Sequence, residues 1–302
     1  MMEKIVILAG PTGSGKSWVA LTLCEEYPLE IVNFDSLQVY RYMDIGTAKP
    51  PKKVRERIPH HLYDIRDPDE PFNVADFLEE ADEKIAEICG RGKIPLFVGG
   101  SGLYARSLLL GLDELPSSEE MREELAERAG KEGLEVLYEE LVGIDPSYAG
   151  KISPRDRHRV LRALEVSRLT GAPYSSKMAR WEERKPRYEA LFLVLTLPRE
   201  DLYRRIEERA DQMVDMGLVD EVKDLLRRGY TRDHSPMRAL GYRSISKVLV
   251  SGGDMGEAVE IMKRETKRYA KRQTTWFRKE EALPVNAEKL EKIDELIGIF
   301  LI

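Results

Sequence analysis

The chain has 302 residues, 42% of them hydrophobic and 34% charged, with a formal net charge of −6. That is enough for one large α/β domain, or for a core carrying a smaller one, and the net charge argues against a generic nucleic-acid binder. Only Cys24 and Cys89 are present, with no C-x-x-C pair, which argues against a disulfide framework and a structural zinc site and fits a reducing cytoplasm. No apolar stretch approaches the ~20 residues of a membrane span, and the first strand starts too early to leave room for a signal peptide. A protein of the cytoplasm is expected.

The apolar run Ile5-Val6-Ile7-Leu8-Ala9 reads as a buried strand. It leads into Gly10-Pro11-Thr12-Gly13-Ser14-Gly15-Lys16-Ser17, which matches the phosphate-loop pattern G-x-x-x-x-G-K-[ST]. Glycines there let backbone N–H groups approach an anion, and the following helix adds its positive end. Lys16 supplies a mobile point charge and Ser17 a hydroxyl for Mg²⁺. The loop implies a bound pyrophosphate group, ATP by default, and does not say what is done with it.

A helix over residues 18–27 stops at Pro28, and Ile31-Val32-Asn33-Phe34 reads as a second strand ending at Asp35. Residues 44–71 are proline-rich and read as a long ordered loop, of the kind that is usually functional. Residues 74–89 form an amphipathic helix, followed by a third strand over 94–98 that runs into Gly99-Gly100-Ser101-Gly102. Between about 115 and 187 only helical stretches occur. Sheet character resumes over 190–195, a continuous apolar run typical of a central parallel strand. Helices are then expected over about 199–228, 236–250 and 256–278. The alternation predicts an α/β fold, a P-loop NTPase-like core with a parallel sheet flanked by helices, at 1–114 and 188–302. An all-helical insertion domain occupies 115–187.

Charge is unevenly placed. Residues 117–145 hold ten acids against three bases, whereas 151–187 hold eleven bases against four acids. On the last long helix Lys263, Lys267 and Lys271 form one i,i+4 row, and Arg264, Arg268 and Arg272 the adjacent one. Tyr269, Trp276 and Phe277 are interleaved with them. A solvated face is the plain alternative; a contact with an anionic polymer is the better reading.

A P-loop kinase usually places an Asp at the end of a nearby strand to hold Mg²⁺. The candidate strand ends Val98-Gly99-Gly100, without a carboxylate. The strand-end acid is Asp35, at the carboxyl end where ligands sit in open parallel sheets, placed to take a proton from an acceptor or merely to cap the next turn. Nothing in this pair separates phosphoryl transfer from displacement of pyrophosphate.

Longer segments carry a resemblance. Gly10-Pro11-Thr12-Gly13-Ser14-Gly15-Lys16-Ser17, Asp35-Ser36-Leu37-Gln38-Val39-Tyr40, Met43-Asp44-Ile45-Gly46-Thr47-Ala48-Lys49-Pro50 and His60-His61-Leu62-Tyr63-Asp64-Ile65 resemble the tRNA dimethylallyltransferase family. So do Val98-Gly99-Gly100-Ser101-Gly102-Leu103-Tyr104, Leu240-Gly241-Tyr242-Arg243 and Lys271-Arg272-Gln273-Thr274-Thr275-Trp276-Phe277-Arg278, in order and essentially end to end. The resemblance implies transfer of a dimethylallyl group from dimethylallyl diphosphate to N6 of the adenine 3′-adjacent to the anticodon, in tRNAs reading codons that start with U. It implies that the loop holds the donor diphosphate, with Lys16, Arg209 and a Ser17-bound Mg²⁺ neutralising the departing pyrophosphate. Asp35 would accept the N6 proton, and Thr12 would help to position it or bind phosphate. The base would be extruded from the anticodon loop, with Gln38 as its reader.

The implied tRNA contacts are Asp35, Ser36, Leu37 and Gln38; Ser101; Arg122; and His158, Arg159, Val160, Leu161 and Arg162. Further along they are Arg238, Ala239, Leu240, Gly241, Tyr242 and Arg243, then Lys271, Arg272, Gln273, Thr274, Thr275, Trp276, Phe277 and Arg278. Position 101 is often Thr in the family and is Ser here, and residues 155–159 are more basic than its usual pattern. The chain ends at Ile302 without Cys/His spacing, so it resembles the bacterial form, and a monomer is expected. A small-molecule P-loop kinase, an isopentenyltransferase acting on free adenine nucleotides and an RNA-binding protein switched by nucleotide are the rival readings. His60 and His61 are expected to be structural, and Cys24 and Cys89 to be core or helix-face residues.

Overall fold

The computed structural model describes residues 2–113, 115–178 and 184–302; the expected boundary residue 114 and residues 179–183, which include Arg180 of the basic segment, lie outside the described residues. Two compact units are present, one formed by Met1–Gly111 with Pro186–Ile302 and the other by Leu112–Lys185.

The larger unit opens with β1 (Lys4–Ala9), α1 (Lys16–Glu26), β2 (Leu29–Asn33), α2 (Lys52–Arg57) and the short β3 (His60–His61). Helix α3 (Val74–Gly90), β4 (Ile94–Gly99) and α4 (Gly102–Leu110) complete its first part. The smaller unit then supplies α5 (Glu119–Lys131), α6 (Leu134–Ile144), α7 (Pro146–Ala149), α8 (Arg157–Thr170) and α9 (Tyr174–Lys177). The chain returns to the larger unit with β5 (Glu189–Thr196), α10 (Arg199–Asp215), α11 (Leu218–Arg227), a 3₁₀ turn at Ser235–Arg238, α12 (Tyr242–Ser251) and α13 (Met255–Phe277). It finishes with β6 (Leu283–Asn286) and α14 (Leu290–Leu301).

The six strands are all parallel, in the order β3-β2-β4-β1-β5-β6. Alternation along β1 sends Ile5, Ile7 and Ala9 into one core with Phe77, Ile85 and Leu108, and Val6 and Leu8 into the other with Val19, Leu23 and Ile297. Helices α3 and α4 therefore cover one face, and α1 and α14 the opposite face. Both faces of β1 are dry from Ile5 onward, which is why that stretch is continuously apolar rather than alternating. Helix α3 starts in a capping box: the Asn73 side chain accepts from the Ala75 and Asp76 N–H groups, and the Asp76 carboxylate accepts from the Asn73 N–H.

The α/β fold with a parallel sheet is the one expected, and three local expectations need correction. The stretch read as loop at 44–71 contains α2 and the edge strand β3, whose two histidines pair with Ile31 and Val32. The end of the chain holds a strand as well as helices; β6 carries Pro284, which a sheet tolerates at its edge and which hides the strand from pattern reading. The helix expected over 199–228 breaks at Met216 and Gly217, where Gly217 takes φ +101 and starts α11.

The smaller unit is entirely helical among the described residues, around Leu125, Leu137, Leu141, Val160 and Leu164. Glu165 is 1% exposed in it and accepts from the Ser118 N–H (2.9 Å), Arg122 (2.9 Å) and Arg162 (2.6 Å). Burial alone would raise its pKa, but these donors bring it below the usual carboxylate value.

Candidate active site

The register of β1 aligns Ala9 with Gly99 of β4 and with Val194 of β5, so three strands end at one level. The chain leaves β1 toward β2 and β4 on one side and reaches β5 on the other, and the crevice of a parallel sheet opens at such a switch point. The phosphate loop follows β1 directly. Gly15 takes φ +92 as the residue before α1 and no side chain caps that helix, which leaves first-turn N–H groups free for an anion.

A cavity of about 150 Å³ lies over the loop, bordered by Thr12, Lys16, Ser17, Asp35, Gln38 and Arg209. A second cavity of about 380 Å³ adjoins it, between the 35–37 and 46–48 segments, α10, α13 and the 235–240 segment. Its wall is largely apolar, with Ile206, Ala210, Met213, Met262 and Tyr269. Thr12, Asp35, Thr47 and Arg209 border both cavities. One space thus suits a small polyanion, the other a flat or apolar group, and a carboxylate stands where they meet.

Lys16 Nζ donates to the carbonyls of Gly10 (2.9 Å) and Pro11 (2.8 Å). The residue is half-buried and borders the smaller cavity. That burial brings its ammonium down to about 7, with Asp35 opposing the shift and Arg209 adding to it. Burial raises the Asp35 pKa, against the pull of the Leu37 N–H, Lys16 and Arg209. Arg209 has no carboxylate within ion-pair distance among the described residues, and burial lowers its pKa while Asp35 opposes this. Two cations and one anion share the mouth of the loop, a field that attracts a diphosphate.

Asp35 is held from below by a residue sequence reading missed. Asn33, wholly buried at the end of β2, accepts from the Asp35 N–H (2.9 Å) and donates to the carbonyls of Asp35 (3.1 Å) and Leu62 (3.0 Å). Asp35 Oδ1 accepts from the Leu37 N–H at 3.0 Å, so the residue caps its turn and faces the cleft as well. The Thr12 N–H donates to Gln273 Oε1 (2.9 Å), and Gln273 Nε2 donates to the Gly100 carbonyl (2.8 Å).

Several residues expected to meet tRNA are interior, and others, buried or not, have their polar groups engaged within the protein. Gln273 is 6% exposed and its amide ties α13 to the phosphate loop and the end of β4. Tyr242 and Val160 are fully buried, and Phe277 packs edge-on to Phe192. Leu161, half-buried, packs against the core of the helical unit. Trp276 lies under Arg106, whose guanidinium is 4.7 Å from the ring. Thr274 and Thr275 turn their hydroxyls to carbonyls of their own helix. Arg122 and Arg162 are bound to Glu165, and Arg243 to Glu265.

Ser36, Leu37, Arg238, Ala239 and Leu240 border the larger cavity, with Gly241 next to them. Ser101, half-buried, precedes α4. His158, Arg159, Lys271, Arg272 and Arg278 are exposed.

The lysine row on α13 also changes meaning. Lys263 pairs with Asp211 (2.7 Å) and Lys267 with Glu207, both on α10, so these two members of the row seal the helices together. The exposed cationic face is formed instead by Arg264, Arg268, Lys271 and Arg272. His60 and His61 are structural: His61 Nε2 bonds Glu30 at 2.7 Å and His60 packs edge-on to Tyr63. Burial pushes the Cys24 thiol up to about 12 and raises that of Cys89, as expected for packed rather than reactive cysteines.

Fold and site define an α/β protein with a phosphate-loop-like core and two adjoining cavities. The family described as IPP transferase matches residues 38–280. Among curated relatives, the tRNA dimethylallyltransferase of Geobacter sulfurreducens is 45% identical over 96% of this chain and 95% of its own length. That of Geobacter metallireducens is 48% identical over 98% and 96%. Two solved structures are similar along nearly the whole chain. The full-length tRNA isopentenylpyrophosphate transferase of Bacillus halodurans has a TM-score of 0.73 at 39% identity, over 99% of this chain and 97% of that one. A eukaryotic dimethylallyltransferase acting on tRNA has a TM-score of 0.80 at 29% identity, over 98% and 77%. The chain belongs to the IPP transferase family and is a prenyl-group transferase of tRNA modification. No helix among its described residues is long and apolar enough to cross a membrane.

Because burial brings the Lys16 ammonium down to about 7, an anion that raises its pKa should draw in a proton at pH 8. Calorimetry of pyrophosphate binding in buffers of different ionisation enthalpy should show more proton uptake for the native protein than for Lys16→Arg, whose guanidinium stays charged.

Proposed function

We propose that the chain transfers a dimethylallyl group from dimethylallyl diphosphate to N6 of the adenine 3′-adjacent to the anticodon, in tRNAs reading codons that start with U. We further propose that it works as a monomer in the cytoplasm. The observation that carries the reading is the position of Asp35 on the wall common to the phosphate cavity and the larger apolar one. The diphosphate lies on the loop, with its charge met by first-turn N–H groups, Lys16 and Arg209. The base enters the larger cavity from the side of residues 235–240.

Reaction forms the bond from N6 to the allylic carbon and breaks the bond from that carbon to the diphosphate oxygen. The N6 proton passes to the Asp35 carboxylate and pyrophosphate leaves. An exocyclic amine of adenine is a weak nucleophile, so a carboxylate that takes its proton as the bond forms lowers the barrier. The raised pKa of Asp35 makes it a stronger base than an exposed aspartate. Lys16 and Arg209 act on the leaving group, where negative charge accumulates. Thr12, whose N–H is fixed by Gln273, keeps the loop in register with Asp35.

The residues present fit a Mg²⁺ ion held mainly by substrate oxygens and water. Ser17 offers its hydroxyl at the cleft, and the described residues contain no cluster of three or more His, Cys, Asp or Glu side chains that could form an all-protein cage. When bound there, the ion would neutralise part of the diphosphate charge.

The exposed cations Arg268, Lys271 and Arg272, with Arg272 stacked 5.6 Å from the Tyr269 ring, supply phosphate contacts to the anticodon stem-loop. His158 and Arg159 supply others from the helical unit.

The direct test is incubation with labelled dimethylallyl diphosphate and unmodified tRNA carrying adenines from the third anticodon position onward. Label in that tRNA, and none in free AMP, is expected. Transfer to AMP, or ATP hydrolysis without prenyl transfer, would contradict the reading. Replacing Arg268, Lys271 and Arg272 together by Ala should weaken tRNA binding and reduce its log–log salt slope by about 2. An unchanged slope would make the stripe a solvated face.

A further inference from the structure

Helix α11 grips the loop that walls both cavities. Glu221, in its first turn, accepts through Oε2 from the N–H groups of Asp44 (2.9 Å) and Ile45 (2.7 Å). Through Oε1 it accepts from the Gly46 N–H (3.1 Å) and the Tyr242 hydroxyl (2.6 Å). One carboxylate therefore satisfies three consecutive backbone donors and a buried phenol. Hydrogen bonds to an ionised acceptor are roughly twice as strong as neutral ones. A carboxylate also accepts at both oxygens, which an amide cannot do.

The loop rests directly on its support. The Tyr242 ring is fully buried and lies so close to Gly46 that a Cβ there would stand 2.5 Å from it. Two further grips act on the same segment. Arg228, at the other end of α11, lies 4.2 Å from the Tyr42 ring centre, and Tyr42 itself adopts the left-handed φ of +65. The fully buried Lys49 side chain donates to the Tyr40 carbonyl (2.7 Å) and to Asp64 (2.6 Å).

The grip reaches the site through Thr47. This residue borders both cavities, and its carbonyl accepts from Gln38 Nε2 at 2.9 Å. Gln38 borders the phosphate cavity beside Asp35. The phosphate loop is held separately, by Gln273 from α13. The phosphate loop and the 44–48 segment are thus anchored by different side chains, Gln273 of α13 and Glu221 of α11.

We propose that Glu221 is a positioning residue for the acceptor: it fixes the 44–48 wall and, through Thr47, the Gln38 amide beside Asp35. The assignment rests on the larger cavity being the acceptor's. It makes the acceptor side separable from the donor side, since loss of Glu221 frees the wall and leaves the phosphate loop anchored.

The test is steady-state kinetics of Glu221→Gln with both substrates varied, together with amide hydrogen exchange over residues 41–49. The expected result is a rise of about tenfold in KM for tRNA, KM for dimethylallyl diphosphate within about twofold of wild type, and faster exchange at the 44–46 amides. Tyr242→Phe, which removes one of the four hydrogen bonds and keeps the ring, should move the same two readings in the same direction by less. It also serves as the test if Glu221→Gln does not fold. An unchanged KM for tRNA, or equal rises in both KM values, would overturn the assignment. Wild-type transfer with unaltered variants would remove the role of Glu221 alone. Absence of transfer by wild type would remove the reading of the cavity and this assignment with it.

Discussion

The structure turns on one carboxylate kept among cations at the end of a parallel sheet. Asp35 sits in the field of Lys16 and Arg209, and each of the three has its pKa moved by burial against that mutual attraction. Such a cluster is costly to bury unless each charge is compensated. The compensation is hydrogen bonding for two of them, with loop carbonyls for Lys16 and the Leu37 N–H for Asp35, and the longer-range attraction of Asp35 for Arg209. Adding a diphosphate supplies the missing negative charge.

Rigid supports make the cluster usable. Asn33 fixes the backbone of Asp35, and Gln273 fixes that of Thr12 across 261 positions of sequence. Helix α13 combines three tasks: its inner face carries Gln273 and Phe277, its flank is sealed to α10 through Lys263 and Lys267, and its outer face presents arginines. A buried polar network of this kind works only when every member is paired, which concentrates the effect of single substitutions.

The sequence was most legible where chemistry and order along the chain coincide. The apolar strand, the glycine-rich loop and the acid at the next strand end are adjacent or nearly so, and their period and spacing announced the sheet and the phosphate cradle. The resemblance named the family from motifs along nearly the whole chain. Pairing between distant segments stayed hidden. The i,i+4 lysine row of α13 gave the correct helix face but could not reveal the acids of α10 opposite it. Gln273 and Phe277 lie in a basic segment and Tyr242 sits beside Arg243 on another helix, and their burial depends on α4, α11 and the sheet rather than on their neighbours. The two-residue β3 and the proline-bearing β6 were too short and too irregular to show a strand period.

If Asp35 serves the chemical step from the boundary of two cavities, one for the leaving diphosphate and one for the acceptor base, its loss must slow transfer without loosening either substrate. Single-turnover transfer by Asp35→Asn, with tRNA and pyrophosphate affinities measured on the same preparation, tests it most directly. The rate should fall by about 10²–10⁴-fold, tRNA affinity should hold, and pyrophosphate should bind no more weakly, because Lys16 and Arg209 lose their competing anion. Turnover near the wild-type rate would rule out Asp35 as the proton acceptor.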